Sequence, residues 1–303
     1  MLLSNAVMAL SVLLFAHGVD GAPSVAALNY DAIYSDMDGT ILDGSKGPRE
    51  ASLRALGRFM ECGGRFGLAS GRTIEQVRPH LKKLKPNLPL VLSNGAVVYS
   101  PDGGTLLWAE YMDSGLVREV VAKAGPLPSV QGVLVQEEQR IFADRGEKAF
   151  IKFVKQAGLS QTKVDKKLAA GFSGKAVKVM LIVKDREAGT KAAEALRPLL
   201  AGRANVMVTS SRTVEVVSPE TDKAVAIAKV LKQEKLAQER VVVFGDGEND
   251  TRMVGEIGLG VAMENCRAST CDAADLIIGS NHSDAIGKFI EALILAPSCG
   301  SRR

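Results

Sequence analysis

Two short apolar runs, each ending in a loop of carboxylates, set the strongest limit on what this chain can fold into. The first is Ala32-Ile33-Tyr34-Ser35, followed by Asp36-Met37-Asp38-Gly39-Thr40. The second is Val241-Val242-Val243-Phe244, followed by Gly245-Asp246-Gly247-Glu248-Asn249-Asp250. A short apolar run stopped by a turn signal reads as a buried strand of a parallel sheet. In open α/β sheets, ligands bind just beyond the carboxyl ends of the strands. Both loops therefore fall where chemistry usually sits, and Gly39 lets the backbone turn sharply there. Taken alone, Asp36–Thr40 reads equally well as a solvated Asp-rich turn; the second loop makes the difference.

Between these runs the pattern alternates. Leu53, Leu56, Phe59 and Met60 recur at helical spacing after Pro48, and Gly63-Gly64 ends that helix. Phe66-Gly67-Leu68-Ala69 reads as a second strand, stopped by Ser70-Gly71-Arg72. Thr73 then caps a helix with Val77, Leu81 and Leu84 on one face. Pro89–Leu92 reads as a third strand, stopped by Ser93-Asn94-Gly95, and Val97–Tyr99 with Leu106–Trp108 reads as a hairpin around Pro101–Gly104. Strand–helix alternation of this kind predicts an α/β fold with a doubly wound, parallel-sheet, Rossmann-like core. From Asp113 to Ser211 the elements change to helices mixed with antiparallel strands, which predicts an inserted α+β cap domain. The expected division is thus core 30–112, cap 113–211 and core again 212–296, with hinges near Met112-Asp113 and Ser210–Arg212.

The ends read differently. Ala6–Ala16 is an apolar run of signal-peptide length, too short for a comfortable membrane span, and Val19 and Gly21 offer a small-residue cleavage pattern. Residues 1–29 are read as a cleaved targeting segment to the secretory pathway or an organelle. A cytoplasmic protein with an added N-terminal helix is the alternative, because this segment has no Lys or Arg ahead of its apolar run. Residues 297–303 read as a disordered tail.

Composition narrows the function. With 303 residues, 46% hydrophobic and 24% charged, the chain is an ordinary globular protein of one large or two moderate domains. The net charge of +4 is too mild to imply nucleic-acid binding, and no dense Lys/Arg stripe is interleaved with aromatics. The four cysteines form no Cys-x-x-Cys pair and have no histidine at zinc spacing. Pairing of Cys266 with Cys271 is open to the chain but not fixed by its sequence.

Four loops taken together, Asp36-x-Asp38-Gly39-Thr40, Ser70-Gly71, Lys223 opening a helix, and Gly245-Asp246-x-x-Asn249-Asp250, resemble in order and spacing the motifs of the haloacid dehalogenase superfamily. Its Cof-type phosphatase branch, with a large cap inserted after the second motif, is the best match. Ser93–Ala96, Gly260–Asn265 and Ala274-Asp275 leading to Asn281 extend the likeness, which covers Tyr30 to Leu295. The chain departs from the family at Ala224, where Gly often follows the lysine, and at Cys266, where Ala is common; a small buried thiol is the expected role there.

The resemblance implies a Mg²⁺-dependent phosphatase of small phosphorylated metabolites such as sugar phosphates, nucleotides or cofactor phosphates. Asp36 would accept the phosphoryl group covalently. Asp38 would protonate the leaving alcohol, which requires neighbours that raise its pKa. Mg²⁺ prefers oxygen ligands, and Asp36, Asp246, the Asp38 carbonyl and, through water, Asp250 would supply them. The amides of Met37 and Asp38, Ser70, Gly71, Lys223 and Asn249 would hold phosphate, Thr40 would orient Asp36, and Arg72 and Asn94 would face the substrate. Taken singly, Ser70 reads as a helix cap and Lys223 as a solvated lysine. His80 and His282 look like surface residues, and Glu137 and Glu138 like an exposed turn. A phosphomutase with the same intermediate, a phosphate-holding receiver and a non-catalytic phosphate-binding protein are the alternatives.

Overall fold

The computed structural model describes residues 30–294 except 45–46, 157 and 160–161, so the expected leader and tail lie outside the described residues. Strand β1 (Ala32–Ser35) is buried throughout. Helix α1 (Glu50–Glu61) turns Ala55, Leu56 and Phe59 inward. It ends where Gly63 (φ 84°) lets Gly64 N donate back to the Phe59 carbonyl, a left-handed cap that glycine makes cheaply. Strand β2 (Arg65–Leu68) pairs parallel with β1. Helix α2 (Ile74–Leu84) starts at Thr73, whose hydroxyl accepts from Gln76 N while the Gln76 side chain accepts from Thr73 N.

The third strand departs from expectation. β3 (Leu90–Leu92), β4 (Val97–Tyr99) and β5 (Leu106–Ala109) form their own antiparallel sheet, which meets the end of β2 through a parallel Ala69–Val91 bridge. Ser93 and Asn94 both take positive φ, 50° and 60°, so the chain reverses at once after β3. β4 therefore pairs antiparallel with β3.

The inserted module contains α3 (Ser114–Ala124), β6 (Val130–Gln136), β7 (Ile141–Ala143), α4 (Lys148–Gln156), β8 (Thr162–Val164) and the single turn α5 (Leu168–Gly171). It continues through β9 (Lys178–Val183), α6 (Arg186–Leu200), β10 (Asn205–Val208) and β11 (Thr213–Val217). Its six-stranded sheet runs β10-β11-β9-β6-β7-β8. Alternation splits its faces. Val133, Val135, Val179, Leu181 and Val214 pack on one side with α3 and α6, while Leu134, Met180 and Ile182 pack on the other with Phe150 and Val154 of α4.

The expected boundary at 211/212 is corrected here. β11 pairs antiparallel with β9 and β10 and belongs to the inserted sheet, and Ser210–Arg212 is a hairpin turn closed by Ser210 N to Thr213 O. The chain crosses back at Ser218–Asp222, beside the outgoing crossing, where Ser218 Oγ donates to Glu110. The crossing expected at Ser210–Arg212 therefore lies at that second segment.

The returning chain forms α7 (Lys223–Gln233), β12 (Val241–Gly245), α8 (Thr251–Glu256), β13 (Leu259–Met263), α9 (Ala268–Ala273), β14 (Leu276–Ile278) and α10 (Ala285–Phe289). The core sheet runs β14-β13-β12-β1-β2, parallel throughout. Phe244 anchors its centre, wholly buried and edge-on to Phe289 at 5.6 Å; truncating such a side chain to Ala costs about 3–5 kcal/mol. Among the described residues, no helix is long and apolar enough to cross a membrane.

Candidate active site

Register brings the two carboxylate loops together. β12 lies next to β1 with Ser35 opposite Phe244, and Asp36 N donates to the Phe244 carbonyl at 2.9 Å. Asp36 and Asp246 thus leave adjacent strand ends on the same edge. Gly39 makes room for them: at φ 80°, a Cβ there would lie 2.3 Å from Asp246 Oδ2. Asp36, Asp246 and Asp250 each contribute one carboxylate oxygen to a group lying within 4.8 Å of one another.

Lys223, wholly buried at the start of α7, donates to Asp36 Oδ1 and to Asp250 Oδ1, both at 2.6 Å. The helix start is fixed by Asp222, whose side chain accepts from Ala224 N and Val225 N. The reading of Lys223 as a solvated lysine therefore gives way to a buried counter-ion. Burial alone would lower its pKa, but Asp250 and Asp36 outweigh that and hold it above the usual lysine range. Three carboxyl groups thus share one ammonium. Burial pushes the Asp36 carboxyl well up; Lys223 opposes this, and Asp250 and Asp246 add to it. Burial likewise pushes Asp246 up to about 6, against the hydrogen bond from Thr40. An all-oxygen, net-negative group of this kind suits a hard divalent cation such as Mg²⁺.

Thr40 is placed differently from expectation. Its hydroxyl donates to Asp246 Oδ1 at 2.6 Å, so it orients Asp246 rather than Asp36. Asp250 is wholly buried, with Oδ1 on Lys223 and Oδ2 accepting from the amides of Asp246 and Gly247, so both of its oxygens hold the loop in shape. Met37 has its side chain in the core and offers the site only its backbone.

Asp38 stands apart from the trio. Arg72 donates to both of its oxygens at 2.7 Å, so a guanidinium is its immediate neighbour. The same guanidinium reaches the Gln76 carbonyl and His80 Nε2. Half-buried beside Arg72, His80 is not a simple surface residue; burial and then the guanidinium push its pKa down.

Ser70 and Gly71 line the cavity above Asp36, as do Arg72 and Asn249. Asn94 does not: its amide donates to Glu215 Oε2 at 2.6 Å and accepts from Asn249 at 2.8 Å, both within the protein. It is a connector, not the substrate-facing residue expected. The cavity, about 340 Å³, is roofed by the inserted sheet through Leu134, Lys178, Met180, Ile182 and Glu215. Lys178 and Glu215 were not among the expected site residues. Their signal was a single charge at an inward position of an otherwise apolar strand, in Lys178-Val179-Met180 and Val214-Glu215-Val216. Glu137 and Glu138 border other hollows, and Glu137 is buried with Arg140 against it rather than exposed.

Cys266 is no buried thiol. It pairs with Cys271 across a Cα–Cα distance of 5.6 Å, and both are half-buried. The short loop they close supports the second carboxylate loop: Arg267 N donates to the Asp246 carbonyl and Thr270 Oγ1 to the Gly247 carbonyl.

A family model for haloacid dehalogenase-like hydrolase matches residues 33–290. The chain belongs to that family. Among its relatives this haloacid dehalogenase-like hydrolase is 23% identical, over 84% of its length and 94% of theirs, to the 5-amino-6-(5-phospho-D-ribitylamino)uracil phosphatase YitU of Bacillus subtilis. It is 22% identical to the pyridoxal phosphate phosphatase YbhA of Escherichia coli, over 84% of this chain and 95% of that one. The structure of SMU.1108c from Streptococcus mutans superposes with a TM-score of 0.77 at 20% identity, covering 88% of this chain and all of that one. That likeness extends to the inserted domain as well as the core.

Proposed function

We propose that this hydrolase is a Mg²⁺-dependent phosphatase of small phosphorylated metabolites that works by transient phosphorylation of Asp36. The observation that carries this is the gathering of Asp36, Asp246 and Asp250 within 4.8 Å around a buried lysine, at the floor of a cavity roofed by the inserted sheet. The relatives named as phosphatases of phosphoribitylaminouracil and of pyridoxal phosphate support the substrate class.

Asp36 and Asp246 would hold the cation, with the Asp38 carbonyl beside them. When bound, the ion supplies the positive charge that lets an anionic nucleophile approach an anionic ester. Lys223 fixes the Asp36 carboxylate from one side and opposes the burial that raises its pKa. Asp36 forms the bond to phosphorus as the ester P–O bond breaks, and the departing alkoxide takes a proton from Asp38. For that step Asp38 must leave Arg72, which frees the guanidinium to face the phosphate. Asp38 then takes a proton from water as the water oxygen attacks phosphorus, and Asp36 and inorganic phosphate are released. Ser70 and the Gly71 amide line the path of the phosphoryl oxygens.

The test is phosphate release from p-nitrophenyl phosphate and a broad panel of phosphorylated metabolites. Release in Mg²⁺ that disappears in EDTA and in Asp36→Asn is expected. No Mg²⁺-dependent release from any ester would overturn the proposal in favour of a binding protein.

A further inference from the structure

Lys178 and Glu215 form a buried ion pair on the underside of the inserted sheet, at 2.8 Å, with Lys178 1% and Glu215 5% exposed. Each also reaches across to the core. Lys178 Nζ donates to the Gly71 carbonyl at 2.9 Å, and Glu215 accepts from Asn94, which in turn accepts from Asn249. Through these bonds the insert holds three core loops at once, those following β2, β3 and β12.

Stability does not explain such a pair. Desolvating two charges offsets their attraction, and replacing a buried pair by apolar side chains of similar size is often neutral or stabilising. Apolar side chains would seal the seam equally well but give no direction to a carbonyl or an amide. Lys178 fixes the orientation of the Gly71–Arg72 peptide, whose N–H donates to Ser70 Oγ. Glu215 fixes which way the Asn94 amide faces, and so what is offered to Asn249.

We propose that Lys178 and Glu215 are positioning residues, an ion pair carried by the insert that sets the Ser70–Gly71–Arg72 loop and the Asn94–Asn249 pair for phosphate. Seating the insert and completing the phosphate site are then one event. The proposal rests on the phosphatase reading for its catalytic consequence, but the loop ordering itself is independent of it.

The test compares wild type with the double variant Lys178→Met/Glu215→Leu and with Glu215→Gln, which keeps the size of the side chain. Thermal melting, amide exchange of residues 70–72, 93–95 and 248–250, and turnover are measured on each. Removing both charges together should lower Tm only modestly, through the Gly71 carbonyl and Asn94 amide left without their partners, while the three loops lose exchange protection and kcat falls about a hundredfold with little change in KM. Glu215→Gln should show the same exchange change in weaker form, and serves alone if the double variant does not fold. Retained loop protection, or wild-type turnover despite lost protection, overturns the proposal. An inactive wild type would instead speak against the phosphatase reading, and the exchange readout would still decide this one.

Discussion

Thr40 Oγ1 donates to Asp246 Oδ1 at 2.6 Å across a separation of 206 residues in the chain. The hydroxyl fixes the rotamer of a carboxylate that would hold the metal, the role outer partners generally play around metal ligands. Thr40→Val keeps the shape and removes the donor. Mg²⁺ affinity should fall roughly 10–100-fold, read as a rightward shift of the Mg²⁺ activation curve with little change in Tm.

Lys223 is the sole ammonium hydrogen-bonded to the buried trio among the described residues. Lys223→Met leaves two buried carboxylates, Asp36 and Asp250, without their counter-charge. Breaking a buried pair in this way costs about 3–5 kcal/mol. Urea unfolding in EDTA should show that loss, and Mg²⁺ should restore part of it. An unchanged midpoint would mean that the cluster tolerates its own repulsion.

Asp246 carries a pH signature. Its carboxyl is raised from 3.8 to about 6 in the folded chain, chiefly by burial. Below 3.8 both folded and unfolded states are protonated. Between 3.8 and about 6 the unfolded chain ionises first, so this residue costs the metal-free fold stability as pH rises through that window, and the cost levels off above it. In EDTA, the Tm of wild type should therefore fall relative to Asp246→Asn over that range. Protons and Mg²⁺ compete for the same oxygen, so Mg²⁺ affinity should weaken as pH falls below about 6. A Tm difference that is flat with pH would remove Asp246 from the titrating cluster.

Much of this site was legible because its parts are local. Asp36 and Asp246 follow directly on apolar strands, and the parallel arrangement puts strand ends on one edge, so their meeting needed only the order of the strands. Three things were not local. The chain could not reveal that Thr40 turns to Asp246 instead of Asp36, because its partner lies 206 residues away. The contact of Arg72 with Asp38 joins two loops 34 residues apart, and neither loop encodes it alone. β11 was divided from its sheet because Thr213–Val217 has the same alternation whichever neighbour it joins, and its pairing with β9 is a long-range choice. Lys178 and Glu215 were passed over although a charge inside an apolar strand is a rare, costly thing.

Acid-quenched single turnover with a radiolabelled ester that the wild type hydrolyses tests the central claim most directly. In Mg²⁺, label should appear on the protein within one turnover, on the peptide containing Asp36, and be lost to water on continued incubation. It should be absent from Asp36→Asn and in EDTA. Phosphate released at the normal rate with no label ever trapped on that peptide, or by Asp36→Asn at near wild-type rate, would contradict covalent catalysis by Asp36.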